Sequence, residues 1–243
     1  IFIVNTNGTG VVLSLDTEKE VYGWSRFETT NGYFKSAIEV QDNLYVLVDR
    51  IASDGSTLIT YLEKLTEEDV FLDHFYTGSA STAKTSWTDA TTLANQTVSC
   101  VVGINSTAIT NSSVHNSVTL NGSGNFSTDY NVHSIAIGHA YTASVETLPL
   151  AFAINNQLVR GERFRKIGAE VRMRQTKYAK VDGYVITKKQ VGDSILDTAL
   201  PVMDDIFSVT LNGTGNNQTV TVTSDLPLPM QVNGITVEAI FRA

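Results

Sequence analysis

Apolar and polar positions alternate in short runs along most of the chain, the period-2 pattern of strands with one buried face. Val21–Glu28 sets Tyr22, Trp24, Arg26 and Glu28 on one side and Val21, Gly23, Ser25 and Phe27 on the other. Phe34–Val40 alternates in the same way, and Leu44–Val48 follows after the turn residues Gln41–Asn43. Thr57–Leu65 begins after Asp54-Gly55, a favoured hairpin turn. These read as four consecutive antiparallel strands, a meander the size of one propeller blade or part of a barrel or sandwich. From Tyr76 to about Thr92 the residues are small and polar with no dominant period, which predicts a long connector.

Strands are predicted again at Thr97–Ile104, Ser117–Leu120, Val132–Ile137 and Ala140–Glu146, with Gly138-His139 separating the last two at hairpin length. Leu150–Gly168 is the one stretch whose spacing suits a helix, through Ala151, Ile154 and Leu158, with Gly161 and Gly168 limiting its length. Ala169–Arg174, Val181–Thr187, Phe207–Leu211, Thr219–Thr223 and Val232–Phe241 complete the strands, with Asp182-Gly183 and Asn233-Gly234 as turn or bulge signals. The chain therefore reads as all-β and mainly antiparallel, with at most one or two short helices. A propeller-like meander is expected over 1–75, a small inserted β domain over 76–149, and a C-terminal β domain with a short helix over 150–243, the small domains being barrels or sandwiches. One internal repeat is visible, Ser117–Asn125 against Ser208–Asn216, and it reads as a strand entering a glycine-bearing turn.

Composition narrows the function. The 243 residues are 42% apolar and only 17% charged, and Asn, Ser, Thr and Gly make up the difference. No apolar run is long enough to span a bilayer, so no membrane anchor is expected. The chain opens at Ile1 with no Met before it and reads as a fragment. The single Cys100 excludes an internal disulfide and a cysteine-based zinc site, and its apolar run predicts a buried thiol. A net charge of −8 argues against a dedicated nucleic-acid binder. Ten of the 17 Lys and Arg residues fall between Arg160 and Lys189, an asymmetry that suits either a subunit interface or a solvated basic face.

Candidate chemistry is sparse. His74, His115, His133 and His139 show no metal-ligand spacing, although His133 and His139 flank one strand. No nucleophile elbow or phosphate loop occurs. The adjacent carboxylates Asp204-Asp205 and Glu67-Glu68-Asp69 read as solvated or capping groups. The eight Asn-x-Ser/Thr sequons follow from composition. Trp24, Trp87 and the tyrosines suit a sugar-stacking platform only if they are exposed together on one face; otherwise they are core or cross-strand partners. No catalytic residue, metal or cofactor is expected, and the chain is not read as an enzyme.

From Trp24-Ser25-Arg26 onward, an ordered set of motifs accumulates. Thr29–Ala37, with Gly32 and Phe34, is followed by Leu44–Arg50, by Tyr61-Leu62-Glu63-Lys64-Leu65, and by Leu72-Asp73. Further on come Ile137-Gly138-His139-Ala140-Tyr141, Glu146-Thr147-Leu148-Pro149, Lys166–Arg172 and Asp225-Leu226-Pro227-Leu228-Pro229-Met230. This order resembles the tail tubular protein B, or nozzle, family of T7-like short-tailed phages. The residues that carry the resemblance are Trp24, Arg26, Gly32, Arg50, Glu63, Gly138, Tyr141, Pro227 and Pro229. Leu93-Ala94-Asn95-Gln96 departs from the turn that opens the family's middle domain, and the upstream half of a full-length member is absent.

The resemblance implies a virion structural protein. Such a subunit belongs to a homo-oligomeric ring, hexameric at full length, through which phage DNA is ejected. The ring docks on a tail adaptor and contacts tail fibres. A wall that passes DNA without gripping it should be acidic or neutral, since phosphate contacts add affinity through counterion release. Arg160, Arg163, Arg165, Lys166, Arg172 and Arg174 are then candidates for the subunit interface or channel, facing an acidic neighbour in salt-sensitive assembly. The alternative is a β-rich carbohydrate-binding or adhesin module of a phage or bacterial surface. A glycosidase or lyase fragment would need facing carboxylates in a cleft.

Overall fold

Short β-branched and aromatic runs, broken by Gly, Asn and Asp turns, form 19 strands and no α-helix among the described residues. The computed structural model describes residues 1–16, 18, 20–66, 70–103, 113–149, 152–154, 157–159, 164–186, 188, 200–215 and 218–241. The chain is all-β and antiparallel, and none of its sheets closes into a barrel. It divides into two compact units, one of residues 1–110 and 115–140, the other of residues 111–114 and 141–243.

The first unit holds three sheets. β1 (Phe2–Val4), β2 (Gly10–Asp16) and β3 (Val21–Phe27) form one, and β4 (Gly32–Val40), β5 (Asn43–Ile51) and β6 (Leu58–Lys64) form a second. The expected run of four strands is thus divided, with β3 paired to β2 and a three-stranded meander following. The link between β3 and β4 explains the break. Asp73 Oδ2 accepts the Thr30 N–H at 2.5 Å and the Thr29 hydroxyl at 2.8 Å, and Asn31 turns through a φ of 53°. The chain is pulled aside there instead of folding back as a hairpin. The two sheets share a small core in which Phe2, Phe27 and Phe34 pack edge to face or tilted at 5.6–6.0 Å.

The third sheet runs in the order β7 (Asp73–Trp87), β10 (Phe126–His139), β8 (Thr97–Gly103), β9 (Ser113–Thr119). The connector expected from Tyr76 to Thr92 is mostly the 15-residue strand β7. Its inward positions Tyr76, Gly78 and Ala80 shrink toward Trp87, because a Cβ on Gly78 would meet the Trp87 ring at 3.1 Å. Small inward residues hide the alternation that marks a strand. Cys100 is fully buried in this core, as its run predicts, and burial pushes the thiol pKa up to about 12. β10 runs on through Gly138-His139, and the next strand, β11 (Ala143–Glu146), pairs elsewhere, so the expected hairpin there does not form.

The second unit is a sandwich. One sheet has the order β11, β18 (Thr221–Ser224), β15 (Ala179–Val181), β16 (Tyr184–Ile186); the other has β17 (Met203–Gly215), β14 (Phe164–Thr176), β19 (Val232–Phe241). Val171, Val181, Met203, Leu211 and Val222 pack together between them. Where a helix was expected, Leu150–Gly168, the described residues form the hairpin β12 (Phe152–Ile154) and β13 (Gln157–Val159) and the start of β14. Short β-branched and aromatic runs pair locally there, and an apolar spacing of three and four residues is too sparse to outweigh them. Asp182-Gly183 makes the β15–β16 turn, and Asn233 makes a bulge in β19.

The repeated nine residues adopt two conformations. In the first copy Asn121 Oδ1 accepts the N–H groups of Ser123 and Asn125 at 2.9 Å, closing a turn in which Gly124 has a φ of 74°. In the second copy Val209–Gly215 stays extended within β17. A duplicated ligand loop would need the same conformation twice.

Candidate functional site

Residues that carry the family resemblance, far apart in the chain, meet in one buried cluster of the first unit. Arg50 lies on the inner face of β5, opposite Gly32 on β4. A Cβ on Gly32 would stand 2.8 Å from the Asp49 carbonyl oxygen, so only glycine lets the strands close here. The Arg50 guanidinium, 4% exposed, donates Nε and Nη2 to the two Glu63 oxygens, each at 2.6 Å. Nη2 also donates to Asp73 Oδ1 at 2.9 Å, while Nη1 donates to Asp73 Oδ2 at 3.3 Å and the Thr30 carbonyl at 2.8 Å. Gly138 completes the approach, since a Cβ there would lie 2.9 Å from Phe75 Cβ and 3.0 Å from the Asp73 carbonyl oxygen.

Two histidines border the cluster. His74 Nδ1 hydrogen-bonds Glu63 Oε1 at 2.8 Å, and its ring stacks on His139 with centroids 6.4 Å apart. Asp73 pairs with His139 in the β7–β10 register, which is why these rings meet. The sequence presents His133 and His139 as flanks of a strand; the residue it does not single out is His74, whose partner lies across the sheet. An open cleft of ≈ 190 Å³ runs beside Arg50, Tyr61, His74, His139 and the Thr91–Gln96 segment. The guanidinium is saturated by its own carboxylates and carbonyl, so it clamps strands and does not present a free cation to a ligand. Among the described residues no group of three His, Cys, Asp or Glu side chains could hold a metal ion.

The electrostatics set a pH dependence. Burial pushes the Glu63 carboxyl up, but hydrogen bonds from Arg50 and His74 outweigh it and hold its pKa at about 2. Burial, then the Arg50 charge, lowers the pKa of His139. A carboxylate with a depressed folded pKa stabilises above its unfolded value and loses that contribution as pH falls. A histidine held neutral costs stability once pH drops below its unfolded value. Acid unfolding of this unit is therefore expected in two stages, a weak one from about pH 6.5 and a stronger one from about pH 4.5 toward 2, the latter worth roughly 2 kcal/mol after screening. Urea melts at pH 7, 5.5, 4 and 3 check this, and His139→Gln should remove only the first stage.

The other predicted residues separate. Trp24 is exposed on β3, as is Arg26, which ion-pairs with Glu28. Tyr141 is exposed just ahead of β11. Pro227 is buried in the link from β18 to β19, and the Pro229 carbonyl accepts the Lys177 N–H at 3.0 Å.

The basic segment splits as well. Arg165, Arg172 and Arg174 point outward from β14, Arg165 donating to Asn212 Oδ1 at 3.1 Å. Lys166 instead turns inward, is buried, and ion-pairs with Asp182 while donating to the Thr219 carbonyl at 2.8 Å. It is a core strut of the sandwich and cannot also be an exposed interface cation. Arg160 and Arg163 lie outside the described residues. Lys166→Met is expected to cost about 2–3 kcal/mol by leaving the part-buried Asp182 without its cation, whereas Arg172→Ala should stay within about 0.5 kcal/mol. Thermal melts of both variants, followed by far-UV circular dichroism, check the contrast.

A scan against protein-family models and a search of curated proteins each find no match to this chain.

Proposed function

We propose that the chain is a virion structural protein, a subunit of the tail tube or nozzle ring through which a short-tailed phage ejects its DNA. The observation that carries this reading is the convergence of Gly32, Arg50, Glu63 and Gly138. Motif residues chosen for their order along the chain lock three strands and a strand end around one guanidinium, which is how a structural signature behaves. The cluster consumes its charges internally and offers no activated nucleophile, in keeping with a role that is not enzymatic. Open sheets support it too, since their free edges and faces suit packing against neighbours. In this reading the ring contacts a tail adaptor and tail fibres, and Arg165, Arg172 and Arg174 face an acidic neighbour.

A net charge of −8 suits a wall that DNA passes without being held. Gel-shift titration with duplex DNA at about 150 mM salt tests this part, with no retention expected in the micromolar range, weaker than ordinary non-specific binding. Retention by nanomolar protein would contradict passage without grip.

One observation favours the carbohydrate-binding alternative. Tyr22 and Trp24 stand two residues apart on β3 and share an exposed face. Their cross-strand partners are Leu15 and Leu13, however, and sugar hydroxyls set there would lose water without gaining hydrogen bonds. The aliphatic surround favours a protein partner.

A further inference from the structure

The six strands β1–β6 bury few large apolar side chains and leave many exposed. Of the 21 large hydrophobic side chains exposed among the described residues, 13 lie between Ile1 and Leu62. The core shared by the six strands β1–β6 has only three buried side chains, Phe34, Val46 and Val48, whereas the β7–β10 core has 12. The surplus falls on two sheet faces. On the β1–β3 sheet, Tyr22 and Trp24 are 64% and 61% exposed, and their register partners Leu15 and Leu13 lie on the same face. On the β4–β6 sheet, Ser36, Leu47 and Leu62 are in register and Ile38 pairs with Tyr45, which leaves Ile38 and Leu62 61% and 67% exposed on the outer face.

Each face presents on the order of 500 Å² of apolar surface, at the upper end of what a monomer leaves open. Packing one face on the other would bury roughly 1,000 Å² of apolar area in total, which with a polar rim reaches the size of a specific interface. The rims differ in charge. Glu18 and Glu20 are exposed in the β2–β3 turn, while exposed Lys64 borders the aliphatic face, where Lys35 is already paired with Asp49. The only charges on the aromatic strand, Arg26 and Glu28, already pair with each other. We infer that the Tyr22–Trp24 face of one copy docks on the Ile38–Leu62 face of a second copy. The contact is heterologous and therefore builds a closed ring or an open chain instead of a two-fold dimer. This inference rests on the reading of the chain as an assembly subunit, and adds which surfaces meet.

Sedimentation velocity from about 1 to 100 µM tests it, concentrations at which even a micromolar interface of standard size associates. The chain should self-associate, and Trp24→Glu and Leu62→Glu should each weaken association at least tenfold while leaving the circular dichroism spectrum unchanged. Mixing the two variants should restore one heterodimer, because the intact aromatic face of the Leu62 variant meets the intact aliphatic face of the Trp24 variant. If either glutamate variant loses structure, Trp24→Gln and Leu62→Gln serve in its place. A monomer at every concentration overturns the inference. So does association that neither substitution weakens, or a mixture that stays monomeric, and in those two cases the virion reading stands and a different surface makes the contact.

Discussion

Arg50→Met is expected to lower the unfolding free energy of the first unit by about 2–4 kcal/mol, the cost of leaving two part-buried carboxylates without their buried cation. Glu63 and Asp73 would face each other and His74 with no guanidinium between them. The thioether fills the guanidinium's volume, so packing changes little and the loss is electrostatic. Trp24 and Trp87 both belong to the first unit, and no other tryptophan exists in the chain. Urea melts followed by tryptophan fluorescence therefore read this unit without the other. A loss under about 1 kcal/mol would mean that solvent already screens the cluster, as it does exposed ion pairs.

The second large effect is expected at Gly124. A Cβ there would lie 2.5–2.7 Å from the backbone of Ala90 and Thr91, and the residue holds a φ of 74°. Backbone atoms cannot swing aside as a flexible side chain can, so Gly124→Ala should cost about 2–4 kcal/mol from strain and overpacking together. Its counterpart in the second repeat copy, Gly215, faces only the end of the Gln218 side chain, 2.5 Å from the ideal Cβ. Gly215→Ala should cost less than about 1 kcal/mol, because that side chain can turn away. Tryptophan fluorescence reads the first variant and far-UV circular dichroism the second. Equal losses would mean that the two copies do the same structural work after all.

Much of the fold was legible because most strands keep one buried face. Ala169–Arg174 and Val232–Phe241 alternate cleanly and are strands, and Asp182-Gly183 turns where its dipeptide predicts. What was hidden has physical causes. β7 is hidden because its inward Gly78 admits the Trp87 ring and Ala80 is small as well, which erases the hydrophobic period. The break between β3 and β4 depends on Asp73, more than 40 residues away, and no local pattern reports such a bond. The site was half visible. Arg50, Glu63, Gly32 and Gly138 stood out as ordered motif residues, yet only the reach of the Arg50 side chain to Glu63 and Asp73, and the close approach of Gly138 to the Asp73 carbonyl, bring them together. Lys166 sat in a basic run whose exposure sequence could not resolve, and the β14 alternation turns it inward to Asp182.

The same geometry separates stability from assembly. Arg50, Lys166 and Gly124 are buried or tightly packed and should act on folding, whereas Trp24, Leu62 and Arg172 are exposed and should act on association. Raising salt should weaken contacts made by Arg165, Arg172 and Arg174 far more than the apolar face-to-face contact.

The central claim, that the chain is a component of a phage tail, is tested most directly by immunogold electron microscopy. An antibody raised against the purified chain would be applied to virus particles from the source culture. The account predicts gold at the tail, below the capsid vertex, on short-tailed particles. Particles without label, with the protein recovered only in the soluble fraction, would contradict it.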